Sequence, residues 1–130
     1  MKKFLVIAVF ALGTTLQAQD RTSADQTAPQ ERFIQGEDGW VRYEAYHSNG
    51  SVRESGTFLH GKREGTWRQY DAQGQETAQV QFQNDQLHGR AMVSNVDGTV
   101  KYRLSYTHGL LEKGEQLDRF GEVVAVVEAP

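Results

Sequence analysis

Four histidines, His47, His60, His88 and His108, are the side chains in this sequence best suited to metal ligation or proton transfer. Glu64 and Glu112 stand in equivalent positions of the pattern and are the acids to weigh as an acid–base pair. Neither set is expected to converge. His60 and His108 lie 48 residues apart, as do Glu64 and Glu112, which is two periods of a 24-residue repeat. If each repeat adds two strands, equivalent positions two repeats apart are separated by about 20 Å. One metal ion bonds nitrogen at only about 2 Å, and paired carboxylates acting on one sugar must lie within about 10 Å. His88 falls in the same class of connecting segment one repeat away, and the same geometry excludes it. The histidines are therefore expected to be solvated loop residues. The serines lack a nucleophile elbow, and no glycine-rich stretch follows a strand and opens a helix. Cysteine is absent, which removes thiolate metal sites and disulfides. The sequence reads as non-enzymatic, with no catalytic, metal or cofactor site.

The elements behind these positions are repeats. Gly50, Gly74 and Gly98 are 24 residues apart, as are Phe58, Phe82 and Tyr106, and Gly65 and Gly89 keep the same interval. A fixed period in this range marks a repeat array. Tyr70-Asp71-Ala72-Gln73-Gly74 opens the central copy, Tyr46-His47-Ser48-Asn49-Gly50 the one before and Ser94-Asn95-Val96-Asp97-Gly98 the one after. Asn49-Gly50 and Asp97-Gly98 are hairpin turn dipeptides, since both residues tolerate positive φ.

After each turn the pattern alternates with period two, as in a half-buried antiparallel strand. One face carries Val52, Glu54, Gly56 and Phe58, then Glu76, Ala78, Val80 and Phe82, then Val100, Tyr102, Leu104 and Tyr106. The other carries Arg53, Ser55 and Thr57, then Thr77, Gln79 and Gln81, then Lys101, Arg103 and Ser105. Partner strands are expected at 40–47, 66–72, 90–96 and 115–120, with longer connections such as 60–65 between hairpins. The fold class is all-β, a single-layer antiparallel meander of tandem β-hairpins. Repeats fall at about 43–66, 67–90 and 91–114, with a partial copy at 115–128. The run Val123–Val127 is apolar on both faces. It either covers one face as a cap or pairs with another chain in homo-association.

The 130 residues suffice for one domain, placed at 33–130. Residues 1–19 read as a signal peptide, with Lys2 and Lys3 before the apolar run Phe4–Leu12 and small residues near Ala18. Residues 20–32 read as a disordered polar linker. The expected location is periplasmic or secreted. Without Lys2 and Lys3 the chain keeps 12 basic against 17 acidic residues, a net charge of −5. Such a balance argues against nucleic acid and against an anionic membrane surface.

The stretch Gly61-Lys62-Arg63-Glu64-Gly65-Thr66-Trp67-Arg68-Gln69-Tyr70, together with the Asn/Asp-Gly turns, resembles a MORN repeat, at the spacing of a bacterial variant of that family. The resemblance covers about 40–121 and departs from the pattern at Lys113, Ala91 and Ser94. It implies antitoxin-like or membrane-binding labels. From the residues themselves, Phe58, Phe82 and Tyr106 are expected to form a structural spine. Tyr43, Tyr46, Trp67 and Tyr70 are either core or a contact surface for an unknown protein partner. The expected function is an exported, non-catalytic protein-binding module using an exposed aromatic sheet face. A structural or self-associating envelope role and an antitoxin-like role stand behind it.

Overall fold

A computed structural model of the protein describes residues 30–130; the expected signal peptide and the expected linker up to residue 29 lie outside them. The described residues form one antiparallel sheet without helices. Its strands are β1 (Glu31–Gln35), β2 (Trp40–Tyr46), β3 (Val52–Leu59), β4 (Lys62–Tyr70), β5 (Glu76–Gln83), β6 (Gln86–Leu87), β7 (Gly89–Ser94), β8 (Val100–Thr107), β9 (Leu110–Leu117) and β10 (Val123–Glu128). The spatial order is the sequence order, except that the two-residue β6 pairs with β5 beside β7. Glu31 and Arg32, read as linker, belong to β1, where Arg32 pairs with Glu44 and Phe33 with Tyr43.

Two turn designs alternate. At His47–Ser51, the Gly50 N–H donates to the His47 carbonyl and the His47 N–H donates to the Ser51 carbonyl. The same pair of bonds recurs at Asp71–Gln75, Asn95–Thr99 and Asp118–Glu122. This is a type I turn ending in a left-handed glycine. Only the glycine takes positive φ, 88° at Gly50 and 86° at Gly98. The expected two-residue Asn-Gly and Asp-Gly turns are thus replaced by longer ones.

The opposite ends carry the two-residue turns. His60 and Gly61 have φ of 49° and 80°, Asn84 and Asp85 48° and 70°, His108 and Gly109 47° and 83°, as a type I′ hairpin requires. The segment 60–65, read as a long connection between hairpins, is therefore a tight turn followed at once by β4.

One sheet face is apolar. Tyr43, Ala45, Trp67, Val80, Phe82, Ala91 and Leu104 form its buried cluster, with Phe58, Leu87, Tyr102, Tyr106 and Leu111 packed against it. Tyr43 stacks on Trp67 at 5.6 Å between ring centroids, and Phe58 and Phe82 meet the indole edge-on at 5.1 and 6.0 Å. Room for the indole comes from a bulge. Between the pairs Thr57–Glu64 and Ser55–Arg68, β4 advances four residues while β3 advances two. Trp67 is thereby carried across Gly56, and its Nε1–H donates to the Thr57 carbonyl at 3.1 Å. Burial and the nearby Glu31 carboxylate push the Tyr43 phenol up to about 12.

The valine-rich β10 does not cap a face. It pairs with β9 through Val126–Glu115 and Val127–Gly114 and forms an edge, with Val123, Val124 and Val126 exposed.

Candidate functional site

The face opposite the aromatic cluster is polar, and cross-strand registry lines up its side chains. Glu44 of β2 opposes Ser55 of β3, which opposes Arg68 of β4, then Gln79 of β5, Met92 of β7, Arg103 of β8 and Glu115 of β9. The result is one unbroken ladder across seven strands, about 29 Å long at about 4.8 Å per strand spacing. No second layer covers it among the described residues, because substantial packing occurs only between neighbours within the sheet. All of its members but Arg103 are half-buried.

Charge is fixed along this ladder by short ion pairs. Arg42 holds Glu44 at 3.1 Å, and Arg68 reaches Glu76 at 3.6 Å. Glu115 is bonded by both Arg103 and Lys113, each at 2.9 Å. Those two cations hold the Glu115 carboxyl below its usual range, and the bond from Glu115 raises Lys113. A groove of about 460 Å³ lies here over β7, β8 and β9, lined by Arg90, Met92, Arg103, Ser105, Lys113 and Glu115. A smaller hollow of about 300 Å³ lies near the other end, between Arg42, Glu44, Ser55 and Tyr70.

The four aromatics read as either core or contact surface are split between the faces. Tyr43 and Trp67 are 4% and 2% exposed within the apolar cluster, so they offer no contact surface. Tyr46 and Tyr70 lie half-buried on the polar side, Tyr46 with its hydroxyl donating to Glu44.

Three of the four histidines, His47, His60 and His108, stand at turns, and all four have assigned contacts. His47 Nε2 lies 2.8 Å from the Tyr70 carbonyl of the next turn. The His60 ring lies over Gly39, where a Cβ would fall 2.3 Å from its Nδ1. His88 and His108, expected far apart from the repeat spacing, are neighbours: their rings are 4.9 Å apart and the His108 N–H donates to His88 Nδ1 at 3.2 Å. His88 is not in a turn. It lies on the strand line between β6 and β7, next to Gly89, which pairs with Tyr106 just before the β8–β9 turn. Glu64 does not face Glu112; its carboxylate accepts the Asn84 N–H at 2.9 Å and braces the adjacent turn. Among the described residues no group of three or more His, Asp or Glu is placed to hold a metal ion.

No protein-family model and no curated protein matches the chain. Solved structures do. A TarM mutant from S. aureus in complex with Fondaparinux, alpha-GlcNAc-glycerol and UDP matches with a TM-score of 0.50 and 15% identity, over 76% of this chain and 20% of that one. A second TarM structure matches at 0.46 and 17%, over 72% and 18%, and the GtfA/B complex at 0.44 and 15%, over 80% and 22%. The chain thus spans about a fifth of the length of the structures it matches. What is shared with the first of them is the fold. The expected function, a protein-binding module presenting an exposed aromatic face, is corrected: the central aromatics Tyr43 and Trp67 are buried, and the open face of the sheet is polar.

Proposed function

We propose that the chain works in glycosyl transfer, as a sheet module that holds a carbohydrate acceptor across its polar face. The carrying observation is the uncovered ladder from Glu44 through Ser55, Arg68, Gln79, Met92 and Arg103 to Glu115. A sugar chain needs hydrogen-bonding groups at intervals of about one sugar, and a hexose is about as long as one strand spacing. Each strand then offers one contact per residue of the ligand. The likeness to a TarM structure that contains carbohydrate ligands and UDP supports this reading. The test is a titration of the full chain with oligosaccharides of increasing length. Affinity should rise with each added sugar until the ligand spans the ladder, then level off, and Ser55→Ala combined with Gln79→Ala should weaken the long ligands at least tenfold. Failure of every oligosaccharide to bind would sink the reading.

We also propose that the hairpins are MORN-like tandem repeats and that the protein is exported. The recurrence of one turn design at Gly50, Gly74 and Gly98 supports the first, and the basic and apolar character of the first 19 residues supports the second.

A further inference from the structure

The groove over β7, β8 and β9 is built from two adjacent cross-strand rows. One runs Arg90, Ser105, Lys113, and continues to Glu128 at the edge. The other runs Met92, Arg103, Glu115. Its cations differ in their commitments. Arg103 and Lys113 both bond Glu115, and Glu128 opposes Lys113 from β10. Arg90 is exposed and has no carboxylate partner among the described residues. Its direct neighbour is Ser105, a hydroxyl between two cationic side chains. Arg90 and Lys113 stand two strands apart, about 10 Å at the backbone, which leaves room for a tetrahedral oxyanion between them, above Ser105. A guanidinium offers paired N–H donors that match such an oxyanion, and a hydroxyl adds a third donor.

Resting on the proposed carbohydrate-acceptor role, we infer that this groove takes a phosphate or sulfate group carried on the bound carbohydrate, with Arg90 and Ser105 as its donors and Lys113 as a second cation released from Glu115. Glu115 acts as an internal competitor. It occupies Lys113 and Arg103 when no ligand is present and sets the threshold an anion must exceed. The overall negative charge of the chain does not oppose this, because groups beyond about 10 Å are largely screened at moderate ionic strength.

The test uses the full chain and three probes of matched length: a neutral, a sulfated and a phosphorylated oligosaccharide, titrated at two salt concentrations. The expected result is that at least one charged probe binds ten times more tightly than the neutral one, with an advantage that shrinks as salt is raised. The comparison of the sulfated and phosphorylated arms identifies the source of the oxyanion. Arg90→Gln should remove most of that advantage and leave neutral binding unchanged. Glu115→Gln should raise affinity for the charged probe several-fold, a gain that a misfolded variant would not give. Equal binding of neutral and charged probes would overturn the inference while leaving the acceptor role standing. A loss of affinity in Glu115→Gln, with circular dichroism unchanged, would also overturn it. If none of the probes binds, both fall together.

Discussion

The indole of Trp67 occupies the space that a side chain at Gly56 would need: a Cβ on Gly56 would fall 2.1 Å from Trp67 Cδ2. Gly56 is buried and has ordinary extended backbone, so its requirement is for volume and not for conformation. Gly56→Ala should force the indole out of its stack with Tyr43 and cost about 3 kcal/mol, at the upper end of overpacking penalties. Gly74 provides the contrast. Its φ is 89° and a Cβ there would meet nothing within 4 Å, so Gly74→Ala should cost only the left-handed backbone penalty of about 1 kcal/mol. Urea denaturation of both variants checks the ranking, and equal losses would contradict it.

Trp67→Ala should destabilise the protein by about 3–5 kcal/mol, as expected for emptying a buried aromatic site. Tyr70→Ser, on the half-buried polar side, should cost about 1 kcal/mol. Thermal unfolding followed by circular dichroism separates the two.

The carboxyl groups of Glu54 and Glu115 should respond to pH with opposite signs. Burial raises Glu54, so the folded state holds its proton more tightly, and this contribution to stability is lost as pH rises from the unfolded value through the folded one. Glu54→Gln should therefore stabilise the protein at neutral pH and have little effect in acid. Glu115 is lowered by its bonds to Lys113 and Arg103. Its contribution is present above the unfolded carboxylate value and fades as pH falls through the folded one. Glu115→Gln should thus flatten the acid side of the stability profile. Denaturation midpoints between about pH 3 and pH 8 test both.

Tyr43 should ionise late, near pH 12. An alkaline ultraviolet titration should show a late phenolate step that Tyr43→Phe removes. Removing Glu31, whose carboxylate lies 3.3 Å from the phenol oxygen, should move that step down.

The sequence showed the sheet and its two faces because period-two alternation is a direct record of burial. Val80, Phe82 and Leu104 are core as expected, and Gln79 and Arg103 lie on the open side. It misled where extra residues shift one strand against its neighbour. The bulge around Gly65 decides that Trp67 crosses Gly56 and is buried, and spacing alone does not reveal a bulge. The ladder from Glu44 to Glu115 was hidden for a related reason. Its members are scattered over 72 positions of sequence, and only the register of six strand pairings aligns them. The proximity of His88 and His108 depends on the same pairings.

Because the strands succeed one another in space as they do in the chain, nearly all packing joins a strand to the one before or after it. Such a molecule closes only hairpin-length connections and should fold fast for an all-β protein. Its cooperativity is that of a linear chain of nearest-neighbour terms, in which structure spreads from any formed hairpin and frays from the ends. Amide exchange should therefore be slowest in β4 and β5, which flank Trp67, and fastest in β1 and β10, so that the ladder's middle outlasts its rims.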